Sequence, residues 1–143
     1  MYPVKKELIR ITMKFLEKYP NTNFFKQRGI ANKPHLGVDM APIDKEMGEI
    51  YITAPVGGVV IRCDKHIQYG WEVRIKSTES DRDYIHILAH MKQKPFVSLL
   101  QVVQKGTLLG VMGNSGYSTA RHLHYEVRKP SSLDRVNPMN YME

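Results

Sequence analysis

The residues of this chain whose types and spacing could do chemistry are histidines and one aspartate. In RHLHYEV (121–127), His122 and His124 stand one residue apart, with Leu123, Tyr125 and Val127 at the alternate positions. That alternation reads as a β-strand. On a strand, side chains at i and i+2 share a face about 6.5–7 Å apart. The spacing is too long for the two rings to hydrogen-bond each other. It suits a site where one ring binds a metal and the other faces the substrate, although two histidines on a solvated strand face would read the same.

A second cluster is KPHLGVDMAP (33–42), where His35 and Asp39 are four residues apart. Pro34, Gly37 and Pro42 argue against a helix, so a loop or short strand must bring the pair together. Imidazole and carboxylate are ordinary zinc ligands. The third is YIHILAHM (84–91), where strand alternation puts His86 and His90 on one face with Tyr84 and Leu88. Five of the six histidines and one aspartate thus fall in three short segments. Catalytic zinc takes three protein ligands and keeps a position open for water. His35, Asp39 and one of the 122/124 pair supply three; spacing does not say which. The remaining histidines suit general-base work or stabilisation of developing charge.

The elements that must position these groups are mostly strands. YITAPVGGVVIRC (51–63), WEVRIKS (71–77), DYIHILAHM (83–91), KGTLLGVMGNSG (105–116) and HLHYEVRK (122–129) are apolar or alternating runs punctuated by Gly and Pro. The first twenty residues fit either period, with Val4, Leu8, Ile11 and Phe15 at helical spacing, and periodicity alone leans to helix. Residues 20–34 read as a loop, and 95–104 as a short helix or apolar loop. There are no repeats, no low-complexity segments and no linker, which predicts one domain over residues 1–143.

Bulk properties exclude several classes. The chain has 143 residues, a net charge of +7 and a single cysteine, Cys63, so no intrachain disulfide forms. No stretch approaches the ~20 apolar residues of a membrane span. The N-terminal MYPVKKELIRITMKF lacks the pattern of a secretory signal, so the chain is expected to be made soluble in the cytoplasm and released to act elsewhere. The positive charge predicts an anionic partner or surface. Scattered basic residues without a recognisable nucleic-acid motif argue against nucleic acid.

HLGVD (35–39), ITAPVGGVV (52–60), LAHM (88–91) and GNSGYSTARHLHYEV (113–127) together resemble the lysostaphin and LytM-type zinc endopeptidases that cut bacterial peptidoglycan. The resemblance covers about residues 30–130. It implies a mainly β single domain of antiparallel sheets, with long loops walling an active-site groove. It matches His35, Asp39 and His124 to the ligands of one Zn²⁺ per chain, and His90 and His122 to the catalytic histidines. His86 has no counterpart and His66 is taken as a surface residue. The resemblance also places a strand near RITMKF (10–15), against the lean to helix, and the strand is adopted. Leu88, Met91 and Ala120-Arg121 depart from the pattern without removing a ligand or a catalytic imidazole.

The expected function is therefore zinc-dependent hydrolysis of peptide bonds in peptidoglycan stems or cross-bridges by a monomer acting at the bacterial wall. Gly113, Gly116 and loops 40–50 and 92–104 would wall the groove, and the positive charge would favour anionic wall polymers. The expected context is a phage lysin, which the N-terminus favours, or else the catalytic domain of a larger bacterial wall enzyme. Two other classes remain open. One is a catalytically silent binding or activator module of the same fold. The other is a non-haem iron enzyme, since two histidines and a carboxylate also hold iron.

Overall fold

A computed structural model describes residues 1–143. In chain order the strands and one short helix are β1 (Ile9–Met13), α1 (Asn23–Gln27), β2 (Gly37–Pro42), β3 (Tyr51–Thr53), β4 (Gly58–His66), β5 (Gly70–Ser77), β6 (Ile85–Met91), β7 (Val102–Val103), β8 (Leu108–Val111), β9 (Leu123–Arg128) and β10 (Arg135–Val136). Eight strands form one antiparallel sheet, ordered β1-β2-β9-β6-β5-β4-β7, with β10 also paired to β9; β3 and β8 form a second, two-stranded sheet. The mainly β, antiparallel architecture is the one expected.

Alternation divides the large sheet into two faces. Val38 and Met40 of β2 lie opposite Tyr125 and Leu123 of β9, and these join Val60, Val73, Ile75, Leu88 and Val127 in the buried core. Fully burying one such aliphatic side chain stabilises the fold by about 1.5–3 kcal/mol. The opposite face carries Asp39 across from His124, and Gly37 across from Glu126. A one-residue slip of β9 would exchange these two sets, so the apolar core fixes the register that brings the polar residues together.

The structure bears out the strand at the N-terminus. Ile9 is buried while Arg10 and Thr12 are exposed, and β1 pairs with β2 at the sheet edge. The helical spacing fails because a helix this short is marginal without a surface to pack on, whereas pairing with β2 supplies hydrogen bonds directly. The expected loop over 20–34 contains the one-turn helix α1, and the 95–104 segment is a loop that ends in β7.

Candidate metal centre

His35 precedes β2, Asp39 lies within it and His124 lies in β9. Asp39 and His124 are cross-strand partners, and His35 shares the parity of Gly37 and Asp39. Their potential donor atoms meet: Asp39 Oδ1 is 2.9 Å from His124 Nδ1 and 3.1 Å from His35 Nε2, and the two nitrogens are 3.1 Å apart. Gly37 makes this approach possible. A Cβ there would fall 2.3 Å from the Tyr125 carbonyl oxygen and 2.9 Å from Cε1 of His124. The central glycine of HLGVD is thus a packing requirement.

The outer nitrogen of each imidazole is tied to an oxygen that accepts. His35 Nδ1 donates to the Lys14 carbonyl at 3.1 Å. His124 Nε2 donates to Glu126 Oε1 at 3.0 Å. With the outer nitrogens donating, neutral imidazoles turn Nε2 of His35 and Nδ1 of His124 toward a cation beside the carboxylate oxygen, and without a metal a proton takes that place. Burial opposes charging His124, but its hydrogen bonds to Asp39 and Glu126 and their negative charges push its pKa up to about 10. Burial also opposes the Asp39 carboxylate, yet the hydrogen bonds from His124 and His35 hold it well below the ordinary range. These three residues, two buried and one half-buried, fit a divalent metal.

Glu126 is a member of the site that sequence reasoning missed. It is 1% exposed. It accepts from His124, from Tyr69 Oη at 3.0 Å, from Arg128 Nε at 2.8 Å and from Arg135 Nε at 3.0 Å. Burial opposes its charge, but His124 and Arg128 hold its carboxyl well below the usual range. Strand parity was the available signal, since Glu126 follows His124 by two residues.

His90 and His122 stand beside the three, with ring centroids 4.8 Å apart. His90 Nδ1 donates to the Ser115 carbonyl at 2.7 Å and His122 Nδ1 to the Ala120 carbonyl at 2.8 Å. Each Nε2 is then left as a lone pair, and that of His122 lies 3.8 Å from Asp39 Oδ2. Burial, reinforced by His122 and His124, lowers the His90 pKa to about 3. Burial also lowers that of His122. Both shifts favour the neutral ring.

The expectation that His86 and His90 share a face is corrected. His90 has φ +63°, and the β5–β6 pairing slips a register step between Trp71/Met91 and Val73/Leu88. This bulge turns His90 onto the His124 face. His86 stays on the core face, where its Nε2 donates to Asp81 Oδ2 and its Nδ1 accepts from the Tyr125 hydroxyl, both at 2.7 Å. His66 is half-buried rather than a plain surface residue, and its Nδ1 accepts from the Gln68 and Tyr69 amides.

The GNSG turn (113–116) braces His90. Gly70 (φ +64°) and Gly116 (φ +77°) press the turn against residues 68–70 so closely that a Cβ on either would meet backbone at 2.4 Å. The pressed turn aims the Ser115 carbonyl at His90, and the Ser115 hydroxyl bridges the Met91 carbonyl and the Trp71 amide. Loops 40–50 and 92–104 do not wall the cavity over the site. A 320 Å³ cavity is lined instead from residues 13–36 and 117–119, above Asp39, His90, His122, His124 and Glu126. Arg121 is spent on the Gly48 and Met47 carbonyls, at 2.8 and 2.7 Å.

The chain is similar to several known proteins. The model of peptidase family M23 matches residues 33–138. An uncharacterized metalloprotease of Buchnera aphidicola subsp. Baizongia pistaciae is 35% identical over 132 residues, 88% of this chain and 32% of that protein. The chain thus spans about a third of that relative's length. Among solved structures, a zinc containing peptidase from Vibrio cholerae is similar over 94% of this chain and 37% of that one, with a TM-score of 0.71 and 28% identity. The catalytic domain of the antimicrobial peptidase lysostaphin from Staphylococcus simulans is similar over 92% of this chain and 90% of that one, with a TM-score of 0.73; at 21% identity the likeness is one of fold.

Proposed function

The chain belongs to peptidase family M23, and from that premise we propose that it is a zinc-dependent endopeptidase that hydrolyses peptide bonds in the stems or cross-bridges of bacterial peptidoglycan. The observation that carries this reading is the convergence of His35 Nε2, Asp39 Oδ1 and His124 Nδ1 beside a cavity that the His90 and His122 imidazoles line. In this reading His35, Asp39 and His124 hold the metal, and His90 and His122 are the catalytic residues. Zinc, when bound, supplies Lewis acidity that polarises a carbonyl and makes water easier to deprotonate.

The protein's own groups supply the rest. Neutral His90 and His122 present Nε2 lone pairs that accept the proton of the attacking water and return it to the leaving amine. The ring that carries this proton stabilises negative charge on the carbonyl oxygen until it gives the proton up. Ser115 and Ala120 keep the tautomers that make this possible. Retention of all five side chains supports a working site over a silent one. The single eight-stranded sheet that joins β1 to β10 supports residues 1–143 acting as one peptidase domain, and the +7 charge supports action at an anionic wall. No helix is long and apolar enough to cross a membrane. The reading predicts one zinc per chain by elemental analysis and chelator-sensitive release of amine termini from purified peptidoglycan. Iron in place of zinc, or release that persists without metal, would refute it.

A further inference from the structure

The cavity has a polar floor and an apolar wall. The floor comes from β2, β6, β9 and the residue before β9, and carries Asp39, His90, His122, His124 and Glu126. The wall comes mainly from Met13, Phe24, Phe25, Ile30, Leu36 and Tyr117, with Gln68, Ser118 and Thr119 as polar members. None of the first six is fully buried, so each still presents surface to the cavity or to solvent. Lys33, exposed at the edge, is the one charged side chain on the wall. Asp39 and Glu126 already have histidine and arginine partners. The 320 Å³ volume far exceeds the ~30 Å³ share of one water, and falls in the range of small-ligand clefts.

The wall is also held in shape. The Arg28 guanidinium lies 3.6 Å from the Phe24 ring centroid and 5.2 Å from that of Tyr117, and its Nη1 donates to the Phe24 carbonyl at 2.9 Å. One cation thus straps α1 to the turn before His122. Phe25 packs on Tyr19 and Phe24, with centroids 5.3 and 5.0 Å apart. A wall preassembled in this way need not be ordered by its ligand.

We propose that this wall is a subsite for an aliphatic side chain on the substrate residue beside the scissile bond, and that it disfavours glycine there. The inference rests on the peptidase reading of the cavity. A methyl or methylene chain placed against the six apolar side chains takes their surface from water, whereas glycine leaves it wet. Each added carbon strengthens binding about fourfold, the equivalent of ~0.8 kcal/mol per buried methylene.

The test uses metal-loaded His122→Ala protein, which separates binding from cleavage. Calorimetry would compare short peptides carrying glycine, alanine, α-aminobutyrate or norvaline on either side of one bond. The expected result is a stepwise rise in affinity on one side, about fourfold per carbon, flattened when Phe25→Ala or Tyr117→Ala is added. These two lie in separate segments and outside the metal and histidine set. Equal affinity for glycine and norvaline, or a series unchanged in both variants, would overturn the subsite. Wild-type cleavage of the same peptides reads the other claim: graded binding without cleavage counts against the peptidase reading alone, and cleavage without graded binding against the subsite alone.

Discussion

At the residue scale, the proposed site would divide the work between His124, which would hold the metal, and Glu126, which would hold His124. Glu126 is fixed by Tyr69, Arg128 and Arg135 and aims Nδ1 of His124 toward Asp39. Glu126→Gln should lower metal affinity by roughly 10–100-fold, read by competition with a chromogenic chelator, with the far-ultraviolet spectrum unchanged. Asp39→Ala should abolish stoichiometric metal binding. His90→Ala and His122→Ala should each keep one metal per chain and lose roughly 10²–10⁴-fold in turnover. The His35, Asp39 and H-x-H spacings left a metal site and an ordinary strand face equally open, and it was the resemblance to a known family that singled out a ligand set. Glu126 and Ser115 were not singled out. Their roles depend on which strand pairs with which and on a turn pressed between two glycines.

At the scale of elements, the β6 bulge is what the sequence could not show. Simple alternation put His86 and His90 together, and a single left-handed residue at His90 separated them. The strands around the site were legible as apolar runs between turn residues. The short β7 and β10, two residues each, had no periodic signal, and β1 needed its partner β2 to decide between two periods. The His86 network carries a pH prediction. Burial opposes the Asp81 charge, but hydrogen bonds from His86 and Ser77 lower its pKa below the ordinary 3.8. A carboxyl depressed in the folded state stabilises the fold above its unfolded pKa and loses that contribution as pH falls through the folded value. Metal-free protein should therefore lose stability below about pH 4, and Asp81→Asn should lose less over the same interval, read by urea unfolding.

At the scale of the whole molecule, a net charge of +7 would act on encounter with an anionic wall rather than on the proposed chemistry. Binding to anionic wall polymer should weaken as the Debye length falls from ~10 Å at 0.1 M salt to ~3 Å at 1 M, while cleavage of a short neutral peptide should change far less. A sedimentation assay beside a peptide assay would read the two. The most direct test of the central claim treats purified peptidoglycan with metal-loaded wild type, with wild type plus chelator and with His122→Ala, and analyses the fragments by mass. The account predicts new amine termini from wild type alone, with fragment masses naming the bond, while His122→Ala still carries its metal. Cleavage that survives both chelator and substitution, or one zinc per chain with no cleavage of any wall type, would contradict it.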